Sequence, residues 1–486
     1  MSAPTRRVIA DAAPKNAAAH TANSLAQDLA IRHSLSFVPA VMWFRRDLRL
    51  HDNPALLAAI ESARADGDGR VIPLFIFDDA LWGPAGPVRR AYLLDSLRSL
   101  DASLDGALHI RQGEPAQVLS DLVAQTGAGS VHVAADFAPY GASRDARVEA
   151  VVPLHRTGSS YAVSPGRVLK DDGTPFRVFT PFYKAWMRHG WRAPADDVPS
   201  DTEWWSPDGA APMPEAPDLG SLTLPPAGEE SAWGRWEAFR AHALAAYAEE
   251  RNRPDINSTS GLSAALRWGE IHPRSILAEL ADTDEVFRKE ICWREFYADV
   301  LHHNPASARQ SLDPRFDATM RWTTGKQAQR FLQAWAEGRT GYPFVDAGMR
   351  QLRAEGWMHN RVRMVVASFL VKDMHIPWQD GAGEFMHWLR DGDLASNVHG
   401  WQWTAGCGTD AAPFYRVFNP VLQGQKFDPD GDYVRRYVPE LAHIAGKAVH
   451  EPWDVPDGYA NGYPERIVDH GAERDAALAD FQAIKK

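Results

Sequence analysis

Short apolar runs at residues 41–44, 71–77, 107–110 and 131–134 alternate with helical periodicity at 54–65, 88–104, 115–125 and 143–155. Continuous apolar strands separated by helices predict a parallel sheet covered on both faces, since only a strand buried on both sides drops its polar alternation. A doubly wound sheet of this kind places a ligand site beyond the carboxyl ends of its strands. No Gly-x-Gly-x-x-Gly follows the first run, which argues against a nicotinamide-dinucleotide site there.

The pattern changes twice more. Residues 166–232 are rich in Pro, Gly and Asp, most clearly over 210–226, and read as a long connector. From residue 233 to 486 helical periodicity runs almost unbroken, with no convincing alternating strand and no repeat of solenoid period. Residues 1–39 are rich in Ala, Ser and Thr without periodicity, and are expected to be a disordered extension lacking a signal-peptide core. The expected organisation is therefore an α/β domain over 40–165, the connector, and an all-α domain over 233–486.

Composition narrows this picture. A chain of 486 residues exceeds what one core normally serves, and 45% hydrophobic with 24% charged residues is ordinary for a globular protein. Cys292 and Cys407 form no disulfide framework and no Cys/His cluster, which fits a reducing, cytoplasmic setting and no metal site. No apolar run approaches a membrane span. The net charge of -11 seems wrong for a nucleic-acid binder. Between Arg315 and Arg363, however, nine Lys/Arg stand against four Asp/Glu. With Trp322, Trp335 and Trp357 interleaved, this tract reads either as a solvated face or as a phosphate-tracking surface.

The candidate chemistry lies in the helical part. Thr259, Ser260, Gly261, Leu262 and Ser263 precede a helix and offer hydroxyls and free N–H groups to a diphosphate, or merely cap that helix. Glu290, Trp293, Arg294 and Tyr297 fall on one helical face, and a core stripe would not normally hold both charges. Trp357, Asn360, Arg361 and Met364 repeat that spacing, which suits a heterocycle that is stacked and hydrogen-bonded, or a Trp-rich core. Trp401 and Trp403 project about 200° apart on a helix. Asp391 and Asp393 are expected to pair with Arg363 or Arg294, or to bind a ribityl chain. Glycosidase or divalent-metal chemistry is disfavoured by the surrounding indoles and the lack of further acidic ligands. Together these residues suggest a flavin beside a nucleic-acid pocket.

Several motifs resemble those of the photolyase/cryptochrome flavoproteins, closest to the bacterial members that repair cyclobutane pyrimidine dimers. They are FRRDLRLHDNP from Phe44, WREFY from Trp293, TGYPFVDA from Thr340, WMHNRVRM from Trp357, DGDLASNVHGWQW from Asp391, FNP from Phe418 and QGQKFD from Gln423. The resemblance implies non-covalent FAD held by Tyr247, Thr259, Ser260, Gly261, Leu262, Ser263, Arg294, Arg363, Asp391, Gly392, Asp393 and Asn397. Asn397 would face flavin N5, where plant cryptochromes typically carry Asp and animal ones often Cys. An amide there favours a repair enzyme over a cryptochrome-like blue-light receptor, the alternative reading. A light-independent flavin oxidoreductase would need a nicotinamide-binding motif that the chain lacks.

The same resemblance sorts lesion type and partners. (6-4) photolyases carry a histidine pair where this chain has Asn360 and Met364, which implies action on cyclobutane dimers. Glu290 would hydrogen-bond the damaged bases, Trp293 and Trp403 would wall them, and Arg251, Arg361 and Gln423 would approach the DNA backbone. Glu290, Asn360 and Asn397 are the expected catalytic residues, and Trp401, Trp378 and Trp322 the expected electron route to the flavin. The implied partner is UV-damaged DNA, bound by a monomer. A second, antenna chromophore is expected in the α/β domain, whether folate, deazaflavin or FMN. Ala85 replaces a folate-contacting His of one branch, and residues 139–144 replace its Asn-Glu pair.

Overall fold

The computed structural model describes residues 38–67, 69–410 and 415–484. The expected extension over 1–39 therefore lies almost wholly outside the described residues.

Five parallel strands, β1 (Ala40–Phe44), β2 (Arg70–Phe77), β3 (His109–Gln112), β4 (Ser130–Ala135) and β5 (Leu154–Ser159), form a sheet in the order β3-β2-β1-β4-β5. Alternate residues of β1 enter opposite cores: Val41 and Trp43 join one, Ala40, Met42 and Phe44 the other. That division is what a period-2 strand does when both faces are covered. Helices α1 (Pro54–Asp66), α2 (Pro87–Ser103), α3 (Pro115–Thr126) and α4 (Pro139–Glu149) cover the sheet, and each begins with proline. Proline there loses only an N–H that has no intrahelical partner, so it marks the helix starts.

Two expectations are corrected. Helical periodicity at 143–155 does not continue past Glu149, and residues 154–159 form β5 instead. This strand is largely solvent-exposed, so it shows no apolar run. The connector over 166–232 is not free of structure. It holds α5 (Phe179–His189) and a sixth strand, β6 (Glu203–Trp204), paired to Arg70 and Val71 on the same edge of β2 that β3 occupies further along.

The helical part uses α6 (Glu229–His242), α7 (Ser263–Trp268), α8 (Glu285–His303), α9 (Pro343–Glu355), α10 (Asn360–Lys372), α11 (Trp378–Trp388), α12 (Leu394–Ala405), α13 (Pro420–Phe427) and α14 (His470–Ile484), with further helices between them. Ala264 and Trp268 of α7 pack into the core of the α/β domain, and Leu48 N–H donates to the Trp268 carbonyl. Gly269 fits against Arg46, where an added Cβ would stand 2.0 Å from the Arg46 carbonyl oxygen. The two domains therefore meet through close backbone packing as well as apolar burial. Among the described residues, no helix is long and apolar enough to cross a membrane.

Candidate functional site: a cavity between α7, α8, α10 and α12

The helices enclose a cavity of about 490 Å³, within the range of cofactor sites. Helix α8 presents Glu290, Trp293, Arg294 and Tyr297 to it on one face, as the i, i+3, i+4, i+7 spacing predicts. Asn360, Arg361, Arg363 and Met364 enter from the first turns of α10. Asn397, Trp401 and Trp403 enter from α12, with Asp391 and Asp393 just ahead of it. Tyr247, Arg251, Ser260 and Ser263 complete the expected set.

Charge at this cavity is held in defined pairs. Arg363 donates to Asp391 at 2.8 Å and to the Met358 carbonyl. Asp393 pairs not with Arg363 or Arg294, as the sequence suggested, but with Arg46 of the α/β domain at 2.6 Å. Arg294 instead donates to the carbonyls of Ser160 and Leu266. The other Asp393 oxygen caps α12 by accepting from Ser396 N–H. Burial opposes ionisation of Asp393, but Arg46, Arg267 and Arg294 outweigh it and hold the carboxyl well below the usual range. Glu290 is pushed up by burial, and Arg251, paired with it at 2.6 Å, works in the opposite direction. Asn397 is anchored by a bond from Nδ2 to the Ala382 carbonyl.

Several polar atoms here are buried without a protein partner: Asp391 Oδ1, Arg267 NH1, and the indole N–H groups of Trp401 and Trp403. Such groups are costly unless a ligand or water satisfies them, so their clustering at one cavity fits a polar heterocyclic ligand. FAD offers what this donor set lacks: a flat aromatic ring, hydroxyls and a diphosphate.

Other expected residues lie elsewhere. Thr259, Gly261, Leu262 and Gly392 do not line the cavity among the described residues. Leu262 is core, Gly261 turns the chain at φ +61°, and Gly392 offers its carbonyl to Arg267. Gln423, on α13, also stands outside it. Trp357 precedes α10 rather than sharing its face, because the helix begins at Asn360, capped by His359. Trp378 is buried and donates to Ser311, while half-buried Trp322 packs on Phe316. The ring neighbours of Trp401 among the described residues are Phe385 at 5.0 Å and Trp335 at 5.9 Å.

The tract from Arg315 to Arg363 is not one basic surface. Arg315, Arg321 and Arg350 are paired with Asp313, Asp480 and Glu440, and Trp335 is fully buried. Sequence reading missed Arg46, Arg267 and Asn252. Arg267 follows the 259–263 motif by four residues, which is a usable signal, and Asn252 is found only through its bond to Arg361.

The carboxyl ends of β1 and β4, where the strand order switches direction, form a second and much smaller space of about 10 Å³. Arg45 and Arg144 share Asp145 there, Arg144 also reaches Asp136, and both guanidiniums lie over the Trp43 ring. A chromophore does not fit this crevice.

An α/β domain joined to a helical domain whose cavity combines indoles, amides and Arg–Asp pairs defines a protein that holds a large phosphate-bearing heterocycle. The chain belongs to the DNA photolyase family: residues 40–200 match the family described as DNA photolyase, and residues 287–483 the FAD binding domain of DNA photolyase. A deoxyribodipyrimidine photo-lyase of Agrobacterium fabrum is 40% identical, over 93% of this chain and 99% of that protein. A bacterial class III photolyase from Agrobacterium tumefaciens has a similar structure, with TM-score 0.82 and 38% identity over 93% of this chain and 98% of that one. An archaeal photolyase from Sulfolobus tokodaii, solved with two FAD molecules, gives TM-score 0.80 and 28% identity over 92% of this chain and 100% of that one.

Proposed function

We propose that this protein repairs cyclobutane pyrimidine dimers in DNA with light, using FAD held in the helical domain. The observation that carries this reading is the cavity itself. Glu290, Trp293, Asn360, Met364 and Trp403 line it together with Asp391, Asp393, Asn397 and Arg363. Groups suited to a damaged base pair thus adjoin groups suited to a flavin. Bound FAD supplies light absorption and the electron that splits the cyclobutane ring.

The chain's own residues receive and orient the lesion. A dimer inside a duplex must be flipped out at a cost of a few kcal/mol, least where pairing is already damaged. Trp293 already stacks on Phe179, centroids 3.7 Å apart, leaving its other face for a base. Arg251 leaves Glu290 for a DNA phosphate, and the freed carboxyl, biased towards its protonated form by burial, donates to a pyrimidine carbonyl. Arg361, bound to Asn252 and lying over Phe427, adds a second phosphate contact. Asn397, fixed by Ala382, orients the flavin edge. The enzyme acts as a cytoplasmic monomer that associates with the nucleoid on binding DNA. An antenna chromophore of the folate, deazaflavin or flavin class binds outside the crevice at β1 and β4.

Oligonucleotides carrying one defined cyclobutane dimer or one (6-4) product test this reading. Reduced protein removes the first only in light and leaves the second unchanged. Comparable repair of the (6-4) product overturns the lesion assignment. Loss of neither lesion overturns the enzyme reading and favours a photoreceptor.

A further inference from the structure

Among the described residues, the one side chain that reaches from the α/β domain to a carboxylate of the cavity is an arginine at the sheet's switch point. We propose that Arg46 is a positioning residue of the flavin cavity, holding Asp393 in place and setting the electrostatic field in which the flavin is reduced. The proposal rests on the FAD reading above.

Arg46 follows β1 by two residues and stands between the small crevice and the large cavity. It lines the first with Asp136 and Tyr161, and reaches the second through its 2.6 Å pair with Asp393. Its backbone is fixed by Ser160 Oγ, which donates to the Arg46 carbonyl, and by the close approach of Gly269. Its Nε is buried without a protein partner.

Three cations face Asp393, but their geometry differs. Arg267 spends Nε on the Gly392 carbonyl, and Arg294 both NH groups on Ser160 and Leu266 carbonyls. Arg46 alone among them donates to the carboxylate itself. The other oxygen of that carboxylate caps α12, the helix that carries Asn397, Trp401 and Trp403. Residues 347 positions apart are thereby joined, so the α/β domain fixes both the start of α12 and the charge beside it.

Removing the cation leaves the Asp393 carboxylate facing only Arg267 and Arg294, a net gain of negative charge that opposes reduction because reduction adds negative charge nearby. At the effective dielectric near 20 that suits such sites, one charge across a cavity shifts an equilibrium by roughly tenfold. In the FAD-loaded protein, dye-coupled titration of Arg46→Gln should give a reduced-to-oxidised flavin ratio lowered by about tenfold at fixed potential. Asp393→Asn should shift the ratio the opposite way, and the two shifts should add in the double variant, because the fields of separate charges superpose. A merely structural strut would lower thermal stability in both variants without moving the ratio in opposite directions. A wild-type ratio in Arg46→Gln, or an unchanged or lowered ratio in Asp393→Asn, overturns the proposal. If Arg46→Gln does not fold, Arg46→Met, which keeps the apolar stem, replaces it in the same titration: a lowered ratio supports the proposal and a wild-type ratio overturns it. Absence of FAD from the unmutated protein would instead sink the functional reading.

Discussion

Arg46 separates two clefts built from the same chemistry with opposite outcomes. At the ends of β1 and β4, Arg45, Arg144, Asp136 and Asp145 knot together over Trp43, and about 10 Å³ of space remains. Between the helices, Arg363–Asp391 and Arg46–Asp393 stand at the wall of a cavity of about 490 Å³. The crevice is where a doubly wound sheet ordinarily takes its ligand. Here it has become a structural joint, and the ligand site has moved to the helices. Arginine–aspartate pairs therefore do not mark a site; what marks it is the open volume they frame.

The sharpest way to separate the clefts is to disable one function without touching the fold. Trp401→Phe should abolish blue-light reduction of the flavin in the presence of a reductant, while chemically reduced variant still repairs dimers. Absorbance during illumination checks this. Photoreduction at the normal rate would mean that electrons bypass Trp401, and Trp378, Trp335 and Trp322 would then need testing singly.

Asp145→Ala is the reverse experiment. It leaves Arg45 without its carboxylate, and Arg144 with only Asp136, in a buried place. Removing one partner of a buried pair costs about 3–5 kcal/mol, read as a lowered midpoint in denaturant. FAD affinity should change little. Equal loss of stability and of FAD affinity would mean that the clefts are one unit.

Trp293→Ala should weaken dark binding to dimer-containing duplex by roughly 5- to 150-fold at fixed salt, since a base–aromatic stack is worth about 1–3 kcal/mol. Binding to undamaged duplex should barely change, because phosphate contacts carry it. Equal losses on both duplexes would assign this indole to packing against Phe179 alone.

A pH-dependent effect is expected at the end of α10. Lys372 is buried, donates to the Arg416 carbonyl, and is lowered by burial from 10.5 to about 7. Its folded value lies below its unfolded one, so the unfolded chain binds the extra proton between pH 7 and 10.5. Stability should therefore rise with pH across that window and level off above it. Lys372→Met should flatten the slope in thermal unfolding; an unchanged slope would place the titration elsewhere.

Much of this organisation was legible along the chain. The prolines that open α1 and α3, the apolar runs of β1, β2 and β4, and the i, i+3, i+4, i+7 stripe on α8 are local patterns, fixed by backbone periodicity and capping. The misses were non-local. The strand β5 is exposed and lacks an apolar run, while β6 is two residues in a Pro-rich connector that only the free edge of β2 orders. Trp335 looked like part of a basic surface and is core, because the arginines around it turn outward to separate partners.

The sequence alone determined most of the strands and helices, and which indoles, amides and charges ride on α8, α10 and α12. Whether the charges would knot shut or frame a cavity was decided only by tertiary structure. Asp393 carries the same side chain whether Arg294 or Arg46 faces it, and nothing within some 340 residues of Asp393 announces Arg46. The choice follows from the packing of Gly269 against the end of β1, which brings that arginine to the wall of the cavity.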